Sequence, residues 1–134
     1  MVSKINHIGI AVNSLEAAIP FYRDVLNLEF LGIETIAEQK VKAAIFKIGE
    51  VKIELLEPSS PDSPLSKHIE KRGEGIHHIA YETDDVSASL YTFESKGIEL
   101  IDQKPKDGVH GMKIVFLHPK STGKVLTEIC SKVP

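Results

Sequence analysis

The chain has 134 residues, 42% hydrophobic and 26% charged, with a formal net charge of −3; that size suits one compact domain with a buried core, residues 1–134 together. The cationic residues cluster no further than pairs such as Lys71-Arg72, which argues against a nucleic-acid partner, and no apolar run approaches the roughly 20 residues of a membrane span. Met1-Val2-Ser3-Lys4 leads into alternating sequence without a signal-peptide core, so a cytoplasmic location is expected, and the single cysteine, Cys130, rules out an intrachain disulfide and a cysteine-based zinc cluster.

In chain order, Asn6 to Ala11 alternates as a strand and runs into Asn13-Ser14, whose side-chain oxygens can accept bonds from the first turn of a helix. Leu15, Ala18, Ile19 and Tyr22 recur at helical spacing behind that cap. Extended segments are predicted at Glu29 to Gly32, Val41 to Ile48 and Val51 to Glu57. The run from Pro58 to Pro64 breaks the pattern; a short helical stretch, Leu65 to Lys71, follows, and then Gly73-Glu74-Gly75. A second strand begins at His77-His78 and meets a cap at Asp84-Asp85; its helix carries Val86, Leu90 and Phe93 and stops at Gly97. Glu99 to Ile101, Lys113 to Leu117 and Val125 to Cys130 complete the extended segments.

The two halves repeat one another. His7 recurs 71 positions later as His78, and Glu54 recurs 74 positions later as Glu128. The expected fold class is therefore α+β: two tandem βαβββ modules, about 1–58 and 76–134, joined by a linker at about 59–75. Each module, with one helix, covers only one face of its sheet, so the modules are expected to form one domain with curved, antiparallel-rich sheets around a metal cleft.

The repeat also selects the chemistry. Glu54 lies in Val51-Lys52-Ile53-Glu54-Leu55-Leu56 and Glu128 in Val125-Leu126-Thr127-Glu128-Ile129-Cys130, both in apolar strand sequence. A carboxylate in such a setting protonates unless a partner or a cation holds it ionised. One strand histidine is more often a packed or surface residue than a ligand, and one mid-strand glutamate more often faces water. Four such residues at duplicated positions, His7, Glu54, His78 and Glu128, reverse that preference. Two imidazoles and two carboxylates suit a divalent ion such as Co²⁺, Ni²⁺, Mn²⁺, Fe²⁺ or Zn²⁺. Of His77 and His78 only one can face inward, and the repeat selects His78. His68 is expected to be exposed, His110 to lie on a loop flanking the site, and His118 to belong to a turn.

With paired βαβββ modules and His/Glu ligands from both halves, the chain resembles the vicinal oxygen chelate superfamily of glyoxalases, epimerases and extradiol dioxygenases. Asp62 to Ile69, Gly73-Glu74-Gly75-Ile76-His77-His78-Ile79-Ala80, His110-Gly111-Met112-Lys113 and Phe116 to Gly123 further resemble the methylmalonyl-CoA epimerase family. The resemblance implies interconversion of (2R)- and (2S)-methylmalonyl-CoA by deprotonation at C2 through a metal-stabilised enolate. His7, Glu54, His78 and Glu128 would be the ligands, with Co²⁺ first and Ni²⁺, Mn²⁺ or Zn²⁺ next. Glu54 stands where several epimerases carry glutamine. Glu128 is the implied catalytic base, Lys113 and His110 are candidates at the substrate, and Lys120 at the phosphates of CoA. The implied partners are an acyl-CoA and, because such modules expose sheet edges, a second copy in a homodimer.

Three other readings share the fold. A glyoxalase I-type lactoylglutathione lyase also uses a His, Glu, His, Glu set, but only Arg23 and Arg72 are present to clamp glutathione carboxylates. An extradiol dioxygenase would use two histidines and one glutamate and leave the symmetric fourth ligand without a role. A metal-free binding module would favour aromatics, which make up 6% of this chain without any tryptophan.

Overall fold

The computed structural model describes residues 1–133. Its elements run β1 (Val2–Ala11), α1 (Leu15–Pro20), β2 (Glu29–Ile36), β3 (Val41–Ile48), β4 (Val51–Pro58), α2 (Pro64–Arg72), β5 (Gly75–Thr83), α3 (Val86–Ser95), β6 (Lys106–Asp107), β7 (Lys113–Leu117) and β8 (Thr127–Ser131). This is the α+β pattern of two βαβββ modules expected from the repeat. Among the described residues no helix is long and apolar enough to cross a membrane. The chain separates into two compact units, His7–His77 and Met1–Asn6 with the chain from His78 onward, so the boundary falls inside β1.

In the unit His7–His77 the strands lie in the order β2-β3-β4-β1, with β1 and β4 parallel and the other pairs antiparallel. Ser14 caps α1 as expected, its hydroxyl accepting from Ala17 N at 3.2 Å. The helix covers the face that carries Ala44, Phe46 and Leu55, against which Val12, Leu15 and Ile19 pack. Phe46 is fully buried and stacks on Phe30 at 5.0 Å between ring centroids; burying such a side chain contributes about 1.5–3 kcal/mol.

Helix α1 is shorter than the apolar spacing predicts. Pro20 lacks an N–H and its ring crowds the carbonyl one turn back, and from Phe21 to Val25 the coil widens to π geometry. Leu26 N–H accordingly reaches Phe21 O at 3.0 Å. In α2, Ser63 caps the helix by accepting from Leu65 N at 3.2 Å and Pro64 occupies the first turn. His68 on this helix is half-buried rather than exposed, because its ring meets His77 edge to face at 4.6 Å.

The second unit has the order β1-β5-β8-β7-β6, where β1 contributes only its first residues; β5 and β8 are parallel, β7 antiparallel to both β8 and β6. Asn6 Nδ2 donates to Glu82 Oε1 at 2.8 Å and Thr83 Oγ1 to Met1 O at 2.9 Å, fastening the N-terminus along β5. Asp85 caps α3 by accepting from Ser87 N at 2.9 Å, and Val86 and Leu90 pack on Val115, Leu117 and Ile129. The helix ends at Gly97, whose φ of 77° places it in the region glycine tolerates best.

The extended segment expected at Glu99 to Ile101 is not a strand. It makes a single bridge, Leu100 to Leu117, and the strand beside β7 forms later, at Lys106–Asp107. The reason is local: Asp102 Oδ2 accepts the N–H of Phe116 at 2.8 Å, so a side chain takes the place of a ladder carbonyl, and Pro105 has no N–H to offer.

The duplication persists in the hydrogen bonds. Leu15 N–H donates to Glu57 Oε1 at 2.9 Å, and its counterpart Val86 N–H donates to Ser131 Oγ at 3.1 Å. In each module the end of the last strand thus secures the first turn of the helix.

Candidate active site

The side chains that alternate away from the helices carry the candidate chemistry. On β4, Leu55 faces α1, so Glu54 faces the other way. On β1 His7 shares that side, and Gly9 is opposite Glu54 in the parallel register. Glu54 Oε2 lies 3.3 Å from His7 Nδ1, and both side chains are at most 7% exposed.

The second unit repeats the arrangement. Ala80 is opposite Glu128 across β5 and β8, in the position that Gly9 holds against Glu54. Glu128 Oε1 lies 3.2 Å from His78 Nε2, with both side chains 4% exposed. This pair sits among Ala80, Ile114, Phe116 and Cys130, the apolar residues of the face turned away from α3. Phe116 is opposite Glu128 across the antiparallel β7–β8 pair, and its ring meets the His78 imidazole edge to face at 5.4 Å. Each module therefore presents one buried imidazole beside one buried carboxylate, at the same strand register. Each pair can share a proton or offer two donors to a cation, and apolar neighbours strengthen either interaction by excluding water.

The remaining sequence candidates are placed more widely. His110 is exposed in the turn Val109–Gly111 with φ of 56°, on a loop as expected. That loop closes tightly on β7, since a Cβ on Gly108 would lie 2.8 Å from Ile114 Cγ2. Lys113 alternates with Ile114 and so lies on the side of Val115 and Leu117, away from His78 and Glu128; its ammonium pairs with Asp107 at 2.5 Å. Lys120 is 66% exposed and 2.9 Å from Glu99 Oε1, and that ammonium holds the Glu99 carboxyl below its ordinary pKa. His118 caps the same turn, its Nδ1 accepting from Lys120 N at 3.1 Å, which is the turn role expected of it.

Lys106 was not singled out by the sequence. Its ammonium lies 5.1 Å from the centroid of the Phe116 ring and 3.1 Å from Asp102 Oδ1. A strand of two residues carries no readable periodicity, and only the pairing of Lys106 with Ile114 reveals which face it occupies. A separate cavity of about 410 Å³ beside α1, lined in part by Val12, Phe21, Tyr22 and Glu74, includes neither His7 nor Glu54 and lies apart from this chemistry.

Residues 6–116 match the family described as the glyoxalase/bleomycin resistance protein/dioxygenase superfamily. An uncharacterized protein of Bacillus subtilis (strain 168), YqjC, is 45% identical over 96% of this chain and 92% of its own. The mitochondrial methylmalonyl-CoA epimerase of Mus musculus is 36% identical over 96% of this chain and 72% of its own. Among solved structures, a Streptomyces coelicolor methylmalonyl-CoA epimerase variant in complex with 2-nitronate-propionyl-CoA superposes with a TM-score of 0.95 at 38% identity, covering 100% of both chains.

Proposed function

The chain belongs to the glyoxalase/bleomycin resistance protein/dioxygenase superfamily, and from that premise we propose that residues 1–134 act as one catalytic domain, a methylmalonyl-CoA epimerase that interconverts the 2R and 2S forms of its substrate. The observation that carries the reading is the duplicated buried pair, His7 with Glu54 and His78 with Glu128, in a chain that aligns over 96% of its length with a named epimerase. The choice of substrate rests on those relatives, because a fold by itself does not select one.

The donor set fits a divalent cation. His7, Glu54, His78 and Glu128 are 3–5% exposed, and two carboxylates at that depth are stabilised far better by a cation than by neutral surroundings. We assign all four as ligands of one ion, Co²⁺ first and Ni²⁺, Mn²⁺ or Zn²⁺ as alternatives, since mixed imidazole and carboxylate donors suit these metals. When bound, such an ion supplies Lewis acidity toward the thioester and carboxylate oxygens as negative charge develops. Glu128 is the group assigned to take the proton from C2; His78, 3.2 Å away, holds its carboxylate in place. Return of a proton to the opposite face gives inversion without redox chemistry. In this reading His110, exposed on its loop, meets the acyl portion of the substrate and the exposed Lys120 the phosphates of CoA, while Lys113, on the far side of the sheet, stays with Asp107.

The test is incubation of the Co²⁺-loaded protein with one epimer of methylmalonyl-CoA in D₂O, following C2 deuterium and the epimer ratio, with a methylglyoxal–glutathione assay in parallel. Deuterium incorporation with epimerisation, both abolished by EDTA, is expected. Turnover of the hemithioacetal without C2 exchange would replace the reading with the glyoxalase I-type one.

A homodimer belongs to the same proposal. Strand β2 is the edge of its unit and exposes Leu31 at 39% and Ile33 at 55%, an apolar edge that a second copy would cover. Light scattering should give twice the mass of one chain; a single-chain mass at micromolar concentration removes the dimer.

A further inference from the structure

We propose that Lys106 anchors the free carboxylate of the acyl group; the inference rests on the epimerase reading and adds to it a residue that fixes the orientation of the substrate and selects for dicarboxylic acyl thioesters. The placement follows from register. Cys130, Ile114 and Lys106 lie opposite one another across β8, β7 and β6, and Phe116 lies opposite Glu128 one pleat along. Lys106 thus shares a sheet face with His78, Glu128 and Phe116, two strand spacings, or about 10 Å, from the strand of Glu128. Its side chain leans back toward them, bringing the ammonium to 5.1 Å from the centre of the Phe116 ring, which also meets the His78 imidazole edge to face at 5.4 Å.

This lysine is held rather than mobile. Asp102 is fixed because its Oδ2 accepts the Phe116 N–H at 2.8 Å, and its Oδ1 then receives the ammonium at 3.1 Å. The Lys106 side chain is only 27% exposed and that of Asp102 16%. An ammonium carries three N–H donors and Asp102 occupies one, which leaves donors for an incoming anion over an apolar floor of Phe116 and Ile114. A malonyl-type carboxylate that offers one oxygen to the ion keeps a second, which over this apolar floor must find a donor or lose its hydration without return. Neither Lys113, turned to the other face, nor Lys120, paired with Glu99, stands on this floor.

The experiment compares binding of malonyl-CoA and propionyl-CoA, which differ only in ending the acyl group with a carboxylate or with a methyl group, to the Co²⁺-loaded wild type and to Lys106→Met, which keeps the apolar stem over Phe116. Calorimetry should show malonyl-CoA binding weakened by about 10-fold or more in the variant, the range of a charged hydrogen bond, and propionyl-CoA binding changed by less than about 2-fold. Lys106→Arg should restore most of the malonyl-CoA affinity, which a loss of packing or folding would not allow. Equal loss for both ligands, or no loss for either, overturns the assignment of Lys106 while wild-type epimerisation keeps the parent reading. A wild type without C2 exchange overturns both.

Discussion

Replacing Glu128 with glutamine is expected to reduce epimerisation by about 10²–10⁴-fold, the usual contribution of a positioned general acid or base, while the chain stays folded. The substitution conserves volume in a packed setting: Glu128 is 3% exposed and lies against Ala80 and Phe116 across its two neighbouring strands. An amide can still hydrogen-bond the His78 imidazole, 3.2 Å away, so packing changes little, yet it cannot accept the C2 proton. Because Glu128 is also assigned to the cation, the measurement pairs kcat with the Co²⁺ content of each variant. Glu54→Gln is the matched control. It removes one charge from the equivalent register position in the other module, where several members of the epimerase family carry glutamine, and it should retain most of the activity once loaded. Full activity in cation-loaded Glu128→Gln would show that the base is elsewhere.

That these two glutamates can be compared at all is legible in the sequence, because offsets of 71 and 74 positions relate His7 to His78 and Glu54 to Glu128. The same offsets recur in the strand pairing, Gly9 with Glu54 and Ala80 with Glu128, and in the bonds from Leu15 to Glu57 and from Val86 to Ser131. Alternation and capping residues place elements well where the sequence is regular, as Ser14 and Asp85 illustrate.

The misses share another origin. The widening of α1 after Pro20 and the failure of Glu99 to Ile101 to become a strand both depend on which single donor or acceptor is satisfied, and by what. Lys106 and Lys113 are a sharper case. Both are lysines flanking one loop, and chemistry alone does not separate them. The register of β6 on β7 puts Lys106 with Ile114 and Asp107 with Lys113, and so turns the two ammonium groups to opposite faces.

The second large effect is expected at the histidines. His7→Ala and His78→Ala should each lower Co²⁺ affinity by more than about 100-fold, beyond the 10–100-fold typical of losing a partner outside the coordination shell, and each should abolish C2 exchange. One module provides one imidazole and one carboxylate, a pair at 3.3 Å or 3.2 Å, and two donors alone hold a divalent ion weakly. If all four side chains serve a single ion, the wild type binds one Co²⁺ per chain and either substitution removes it. If each pair instead bound its own ion, the wild type would take up two and each variant would keep one, which would overturn the shared-ligand assignment. Thermal unfolding supplies a readout independent of activity: a ligand that binds only the folded state at 100 times its Kd stabilises it by about 2.7 kcal/mol. Co²⁺ should therefore raise the Tm of the wild type and shift both variants far less at the same concentration, and an equal shift in all three proteins would place the ion away from His7 and His78.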